Sequence, residues 1–341
     1  MKKQVISLII LLISFAGNSQ KDLKSDALFS DQTPLEIKLG YSNKDMNRKT
    51  NDSTFIDTTL EFLQDEKWSS LQVNLRARGN FRRNECYFPP IKMKIKKDQY
   101  QGTIFDGNKT MKLVLPCKLE SENNDNILQE YIAYKIYERI SPFHFKTRRV
   151  NIDFSEPKGK KIKKFALKGF LIEDDKRVAK RHEGKVFERY VHPMGMDHLT
   201  SVHNAFFQYL LGNTDFSVAY QHNGKLMYSE ADKKIIPLPY DFDMTGWVNP
   251  SYATVNTTLG IKSVQDRKYR GFKREQKYFD QVRKEFLDKK ASLIEMVASF
   301  ESEFTDPKEY KNMFDFMNDF YEVMEDDSKF QKSIVEDSRT K

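Results

Sequence analysis

Apolar and polar positions alternate in short runs between residues 34 and 118. "LEIKLGY" (35–41) and "LQVNLRARG" (71–79) place an apolar residue at every second position, the period of a half-buried strand. "IKMKIKK" (91–97) repeats the pattern, "KTMKLVLPC" (109–117) predicts a further strand, and "GNFRRNECYFPP" (79–90) breaks it with glycine and proline. The period then lengthens. In "NILQEYIAYKIYERI" (126–140), Ile127, Tyr131, Tyr134 and Ile140 recur near helical spacing, and asparagines at 123, 124 and 126 supply N-cap candidates. Two more strands follow, "RRVNIDF" (148–154) and "KFALKGFLIED" (164–174). Beyond about residue 177 the chain reads as helical. "DHLTSVHNAFFQYLLGN" (197–213) carries Val202, Phe206, Tyr209 and Leu210 on one side and stops at Gly212. "GKLMYS" and "KIIPLPYD" make a short hairpin, and helices run from about 270 to 338. The expectation is an α+β chain: a small antiparallel β lobe with one inserted helix over 34–176, then a larger, mainly helical lobe over 177–341.

The first residues belong to another class. Lys2 and Lys3 precede "VISLIILLISFAG", an apolar run short for a bilayer, and then "GNSQ". This is the pattern of a secretory signal peptide over 1–19. With no cysteine just after the apolar run, a lipoprotein is not expected, and no other stretch approaches membrane-spanning length, so no stable membrane insertion is expected after cleavage. Residues 20–33 are polar and predict a disordered linker. The remaining chain, about 320 residues, suits one large unit or two domains.

Formal charge is +8 for the full chain. The basic excess concentrates at "KGKKIKK" (158–164), which predicts a solvated hairpin tip, and at "KYRGFKREQK" (268–277). Aromatics are not interleaved with the first run, so nucleic acid is not an expected partner. The only two cysteines, Cys86 and Cys117, lie in neighbouring segments of the predicted sheet, and in an oxidising compartment such a pair can form one disulfide.

Candidate chemistry gathers in the second half. In "IIPLPYDFDMTG" (235–246) an apolar strand ends in Asp241 and Asp243, two carboxylates that repel each other unless a cation or a proton stands between them. Asp215 sits on the loop after the helix at 197–213, and Asn223 opens the hairpin whose second strand ends at Asp241. Three carboxylates and an amide around one point suit a hard cation such as Mg²⁺, which pairs with phosphates. Phosphoryl transfer divides the labour: Asp215 would orient an attacking hydroxyl, and Asn223 with Asp241 and Asp243 would hold metal. Asn223 lies eight residues after Asp215, where protein kinases leave an interval of five. The plainer alternative is that these residues cap turns.

Several of these segments resemble the CotH family, named for spore coat protein H, a group of atypical secreted protein-kinase-like proteins. "LRARGNFRR" (75–83) resembles its R-x-RGN-S-R segment. "FPPIKMKIKK", "NILQEYIAYKI" and "KGFLIED" resemble the strand, helix and strand that follow. "GNTDFSVAYQHN" and "PLPYDFDMTG" resemble its two acidic motifs. The likeness runs in order from about residue 70 to 250, and with both cysteines it is similar to an exported subgroup from Bacteroidetes-type bacteria. It implies a kinase-like two-lobed fold that binds ATP with Mg²⁺ or Mn²⁺ and phosphorylates Ser or Thr of secreted or cell-envelope proteins in the periplasm or at the cell surface. Carried across, Asp215 matches the catalytic aspartate and Asp241 the metal-binding one. Arg78, Arg82 and Arg83 would meet phosphates directly, since Gly79 alone makes a poor glycine-rich loop. The phosphate-pairing lysine is Lys112 or, alternatively, Lys94, with Glu130 as partner to either. Glu173 would sit at the hinge between lobes or cap its strand. Two other function classes remain open: an envelope scaffold without transfer activity, and a metal-dependent enzyme on carbohydrate or phosphoester substrates.

Overall fold

The computed structural model describes residues 26–79, 81–119 and 122–340, the side chains of 122–124 excepted. The signal peptide and residues 20–25 of the linker lie outside the described residues. In chain order the first elements are α1 (Ala27–Ser30), β1 (Leu35–Gly40), α2 (Asn43–Lys49), β2 (Ile56–Gln64), β3 (Lys67–Ala77), α3 (Phe81–Glu85), β4 (Ile91–Ile95), α4 (Lys97–Tyr100) and β5 (Thr110–Val114). Then come α5 (Glu122–Ile140), β6 (Thr147–Lys158), β7 (Lys161–Ile172), α6 (Asp175–Arg181), β8 (Gly184–Val186), α7 (His198–Leu210), β9 (Gly224–Ser229) and β10 (Lys234–Pro239). The chain finishes with α8 (Gln276–Asp288), α9 (Lys290–Ala298), α10 (Pro307–Glu325) and α11 (Asp327–Phe330).

Strands β1–β7 close into a seven-stranded barrel in the order β1-β2-β3-β4-β5-β7-β6. Six of its seam pairings are antiparallel, but β1 lies parallel to β6, with Leu35 opposite Val150 and Gly40 opposite Ser155. This overturns the expected kinase-like two-lobed fold with a small antiparallel β lobe: the sheet is mixed and closed, with no open lobe. Two physical features stood outside the sequence pattern. Strand β2 carries only Leu60 and Phe62 as fully buried apolar positions, so its alternation is faint. The β1–β6 pairing joins segments more than a hundred residues apart, and local periodicity carries no record of a strand's partner.

The barrel interior is filled by alternate residues of each strand, among them Ile37, Leu39, Val73, Leu75, Met93, Met111, Leu113 and Ile152. Leu28 and Phe29 of α1 join that core, and Arg148 binds Asp31 at 2.7 Å and the Leu28 carbonyl at 3.1 Å. Leu28 and Phe29, within the stretch 20–33 expected as a disordered linker, are therefore packed in place. A second core lies outside the barrel, where α5 and α7 meet α8, α9 and α10 through Tyr134, Phe206, Phe207, Phe279, Phe286, Met317 and Phe320. A small antiparallel sheet, β10-β9-β8, borders this core. Gly212 ends α7 as expected, at φ +59°, and a Cβ there would meet the Phe316 ring at 2.8 Å. The basic run at 158–164 spans the β6–β7 turn and the first residues of β7, at the exposed tip of the hairpin.

Cys86 and Cys117 form a disulfide. It ties the end of α3 to the chain just after β5, and the Tyr87 amide adds a bond to the Cys117 carbonyl at 2.7 Å. The bridge spans 31 residues of sequence, so on the chain-entropy account replacing both cysteines by serine is expected to lower stability by about 4 kcal/mol. Urea unfolding of wild type and the double variant checks this; coincident curves would show that the bridge contributes nothing.

Candidate active site

The site forms where the barrel's outer wall faces the helical half. Met111 and Leu113 of β5 enter the barrel core, so alternation turns Lys112 outward. There it is buried, with Nζ over the Tyr240 ring at 4.7 Å and the Phe145 ring at 5.0 Å. No hydrogen-bond partner for this ammonium occurs among the described residues. Burial pulls its pKa down to about 8, against the opposing pull of Asp175. Across the ladder Lys112 stands beside Lys92, and Lys92 beside Arg76, so three cations cross the wall in one row.

Arg78 follows β3 and Arg82 lies on α3, the helix held by the disulfide. Arg82 donates to the Leu115 carbonyl at 3.2 Å and is buried. Around it stand Asp243 at 3.4 Å, Glu130 at 3.7 Å and Asp241 at 3.9 Å. Arg78 is 3.9 Å from Asp241 and lies over the Tyr240 ring at 5.2 Å. The acids come from two elements: Glu130 from the middle of α5, and Asp241 and Asp243 from the chain leaving β10. Asp241 sits at φ +66°, unusual for a non-glycine residue, with its amide donating to the Tyr134 hydroxyl at 3.1 Å.

The cation between Asp241 and Asp243 is thus a guanidinium. The contacts are longer than hydrogen bonds, and polar atoms on both sides have no hydrogen-bond partner among the described residues: Arg78 Nε and Nη2, Arg82 Nε and Nη1, Glu130 Oε1, Asp241 Oδ1 and Asp243 Oδ2. Burial raises Glu130 to about 8, with Asp243 and Asp241 adding to the rise and Arg82 opposing it. Burial likewise lifts Asp243 to about 6, opposed by Arg82 and reinforced by Asp241. Burial alone would lower Arg82, but Asp243, Glu130 and Asp241 outweigh it and hold its guanidinium firmly charged.

Asp215 stands on its own loop after α7. The Asn213 side chain accepts from the Asp215 amide at 2.9 Å. Arg270 donates to the Thr214 carbonyl and, at 3.1 Å, to the Phe216 carbonyl, gripping the backbone on both sides. Asn223, at φ +46°, donates to the Asp215 carbonyl at 2.6 Å and to its carboxylate at 3.2 Å. His222 Nε2 lies 3.1 Å from the other carboxylate oxygen. The result is a half-exposed acid on a heavily braced loop, at the same hairpin end as Asp241, since Pro239 pairs with Gly224.

Several expected roles change. Asn223 serves Asp215, so it does not join Asp241 and Asp243 as a metal ligand, and no group of three or more His, Cys, Asp or Glu placed to hold a metal occurs among the described residues. An amide so close to an acid is drawn to it before any distant ion. Glu173 is buried and bound to Arg181 at 2.6 Å and to the Lys146 amide at 3.1 Å, an ion-paired strand end rather than a hinge that meets a nucleotide. Lys94 packs over Phe55 at 4.2 Å, and Glu130 pairs with Arg82 in place of either lysine. Arg83 binds the Asn47 carbonyl at 2.9 Å and the Thr50 carbonyl, bracing α2. Trp247 belongs to the core, its Nε1 donating to the Gln129 carbonyl at 2.8 Å. His222 and Arg270 were missed. Their only sequence signal is proximity, His222 beside Asn223 and Arg270 within the basic run at 268–277. No family model matches the chain, and no curated protein matches it.

Proposed function

We propose that the seam is a phosphate site and that the chain is an exported phosphotransferase of the CotH kind, moving the terminal phosphoryl of ATP to Ser or Thr of a secreted or envelope protein. The observation that carries this is the convergence of Lys112, Arg78 and Arg82, with Lys112 Nζ and Arg78 Nε and Nη2 buried without a hydrogen-bond partner among the described residues, beside a separately braced and accessible Asp215. Buried donors left without a hydrogen bond call for an anion with several oxygens, and phosphate supplies them. Asp241 Oδ1 and Asp243 Oδ2 face Arg82 at 3.9 and 3.4 Å without a hydrogen bond, so Mg²⁺ or Mn²⁺ arriving with its own waters and phosphate oxygens would take these oxygens over from Arg82; Asn223 is not part of that set. Bound there, the ion would spread the charge of the phosphates. The chain's own residues do the rest. Arg78, Arg82 and Lys112 orient the phosphates, while Asp215 accepts the proton of the attacking hydroxyl, its geometry fixed by Asn223 and His222. Export is consistent with the disulfide, and no described helix is long and apolar enough to cross a membrane.

The test is thermal melting of residues 20–341 with ATP and Mg²⁺ or Mn²⁺. Nucleotide at a hundred times its Kd should stabilise the folded chain by about 2.7 kcal/mol. Incubation with labelled ATP and total envelope protein should then label an acceptor. One observation favours a second reading, an envelope binding protein without transfer: the two arginines already neutralise the acids. An unmoved melting point at millimolar nucleotide would select it.

A further inference from the structure

Beside the Asp215 loop lies a cavity of about 150 Å³ lined by Tyr190, His192, Phe216, Tyr220, Arg270 and Arg339, among others. We propose that this cavity seats an Asp/Glu-rich segment of the acceptor protein next to the hydroxyl to be modified; the inference rests on the phosphotransfer reading and names the substrate class.

Four features support it. The cavity adjoins the proposed acceptor position by construction, because Arg270, which lines it, holds the carbonyls on either side of Asp215. Its charged lining is of one sign: Arg270 and Arg339 line it and no carboxylate does. Arg270 Nε is buried without a hydrogen-bond partner among the described residues, and no carboxylate figures among the influences on the Arg339 guanidinium, only burial. Burial and then the Arg339 charge press on the Arg270 guanidinium and Asp215 offsets them only in part, so an anion placed between the two arginines relieves a standing repulsion. The geometry is also prepared. Arg339 stacks over Phe272 at 4.3 Å, and its backbone is bridged to the same segment, its amide bonding to the Gly271 carbonyl at 2.9 Å and its carbonyl accepting from the Lys273 amide at 2.9 Å. At the rim Tyr190 and Tyr220 pack ring to ring at 5.4 Å while remaining largely exposed, with Tyr220 at 79 %. Exposed, paired aromatics beside arginines make a surface that grips a peptide backbone while the cations choose its charge.

The experiment uses three fluorescein-labelled peptides, each with a single serine flanked by glutamate, glutamine or lysine, and reads binding to residues 20–341 by anisotropy without nucleotide. The glutamate peptide should bind at least about tenfold tighter than the other two and weaken in 0.5 M NaCl. Arg339→Glu should reduce its affinity by about tenfold or more, and Tyr220→Ala should weaken it without changing the charge preference. Equal affinity for the three peptides, preference for the lysine peptide, or an unchanged affinity in Arg339→Glu would each overturn the proposal. Because this readout needs neither ATP nor transfer, its failure is distinct from failure of the phosphotransfer reading, which the nucleotide-dependent melting shift decides.

Discussion

Asp215→Asn is expected to abolish transfer while leaving nucleotide binding intact, and Asp241→Asn to abolish both. The loss from removing a positioned base is on the order of 10² to 10⁴ in kcat. The asymmetry follows from where the two acids stand. Asp215 is half-exposed, held by Asn223 and His222, and touches none of the seam arginines. The amide of an asparagine at this position can still accept from Asn223, so the loop should keep its shape. Asp241 lies 3.9 Å from both Arg78 and Arg82, so its charge would bear directly on a phosphate or metal bound there. Asp243→Asn should fall between them, since Asp243 is the nearest acid to Arg82 at 3.4 Å. The measurements are the ATP–Mg²⁺ melting shift and labelled transfer for the three single variants. If Asp215→Asn and Asp241→Asn both melt lower than wild type and bind nucleotide unchanged, these acids are structural and the proposed site is wrong.

Arg82→Ala is expected to destabilise the chain by roughly 3–5 kcal/mol at pH 8, the range for stripping one partner from a buried ion cluster. Glu130, Asp241 and Asp243 would then face one another without their central cation. The penalty depends on pH, and its sign follows from the raised acids. Glu130 goes from an ordinary 4.5 in the unfolded chain to about 8 when folded, and Asp243 from 3.8 to about 6. The folded state therefore holds more protons than the unfolded state between those values. The stability tied to these groups is fully present below about pH 4 and is lost as pH rises through 6 and then 8. Without Arg82 the ionised forms are dearer still, so the gap between variant and wild type should widen from pH 5 to pH 8. Urea unfolding at both values tests this, and adding Glu130→Gln and Asp243→Asn to Arg82→Ala should recover much of the loss. A constant gap across pH would show that Arg82 stabilises by packing and not by charge.

Much of the fold could be read from periodicity. Strands β1, β3, β4 and β5, the β6–β7 hairpin, α5, α7 and the β9–β10 hairpin all follow from apolar spacing, and the cysteine pair from its placement. Closure could not be read, because the β1–β6 contact leaves no trace in either strand's own pattern. At the candidate site the sequence marked the acids but not their partners. Asp241 and Asp243 were expected to need a cation, which is sound electrostatics, but the cation the chain supplies is Arg82, which stands 159 residues before Asp241, where local pattern cannot connect them. A charged residue in "GNFRRNECYF" looks like surface until α3 is folded against β5 by the disulfide. Asn223 was placed by type, as a metal ligand, whereas its left-handed backbone turns the amide to Asp215.

The parallel seam between β1 and β6 also sets an order of events. Glu36 and Asn151 are 115 residues apart in sequence and meet through their side chains at 2.6 Å. While the chain emerges from its N-terminus, β1 through β5 can form only an unclosed sheet with two bare edges, and it stays so until β6 and β7 have followed. Loop closure over such a distance is slow, and an unpaired edge strand is a template for pairing with other chains. The vulnerable species is thus a nascent chain that has made its first five strands. A chaperone that covers strand edges would matter most to it in that interval, whereas the helical half, built largely from neighbours in sequence, would need no such shelter.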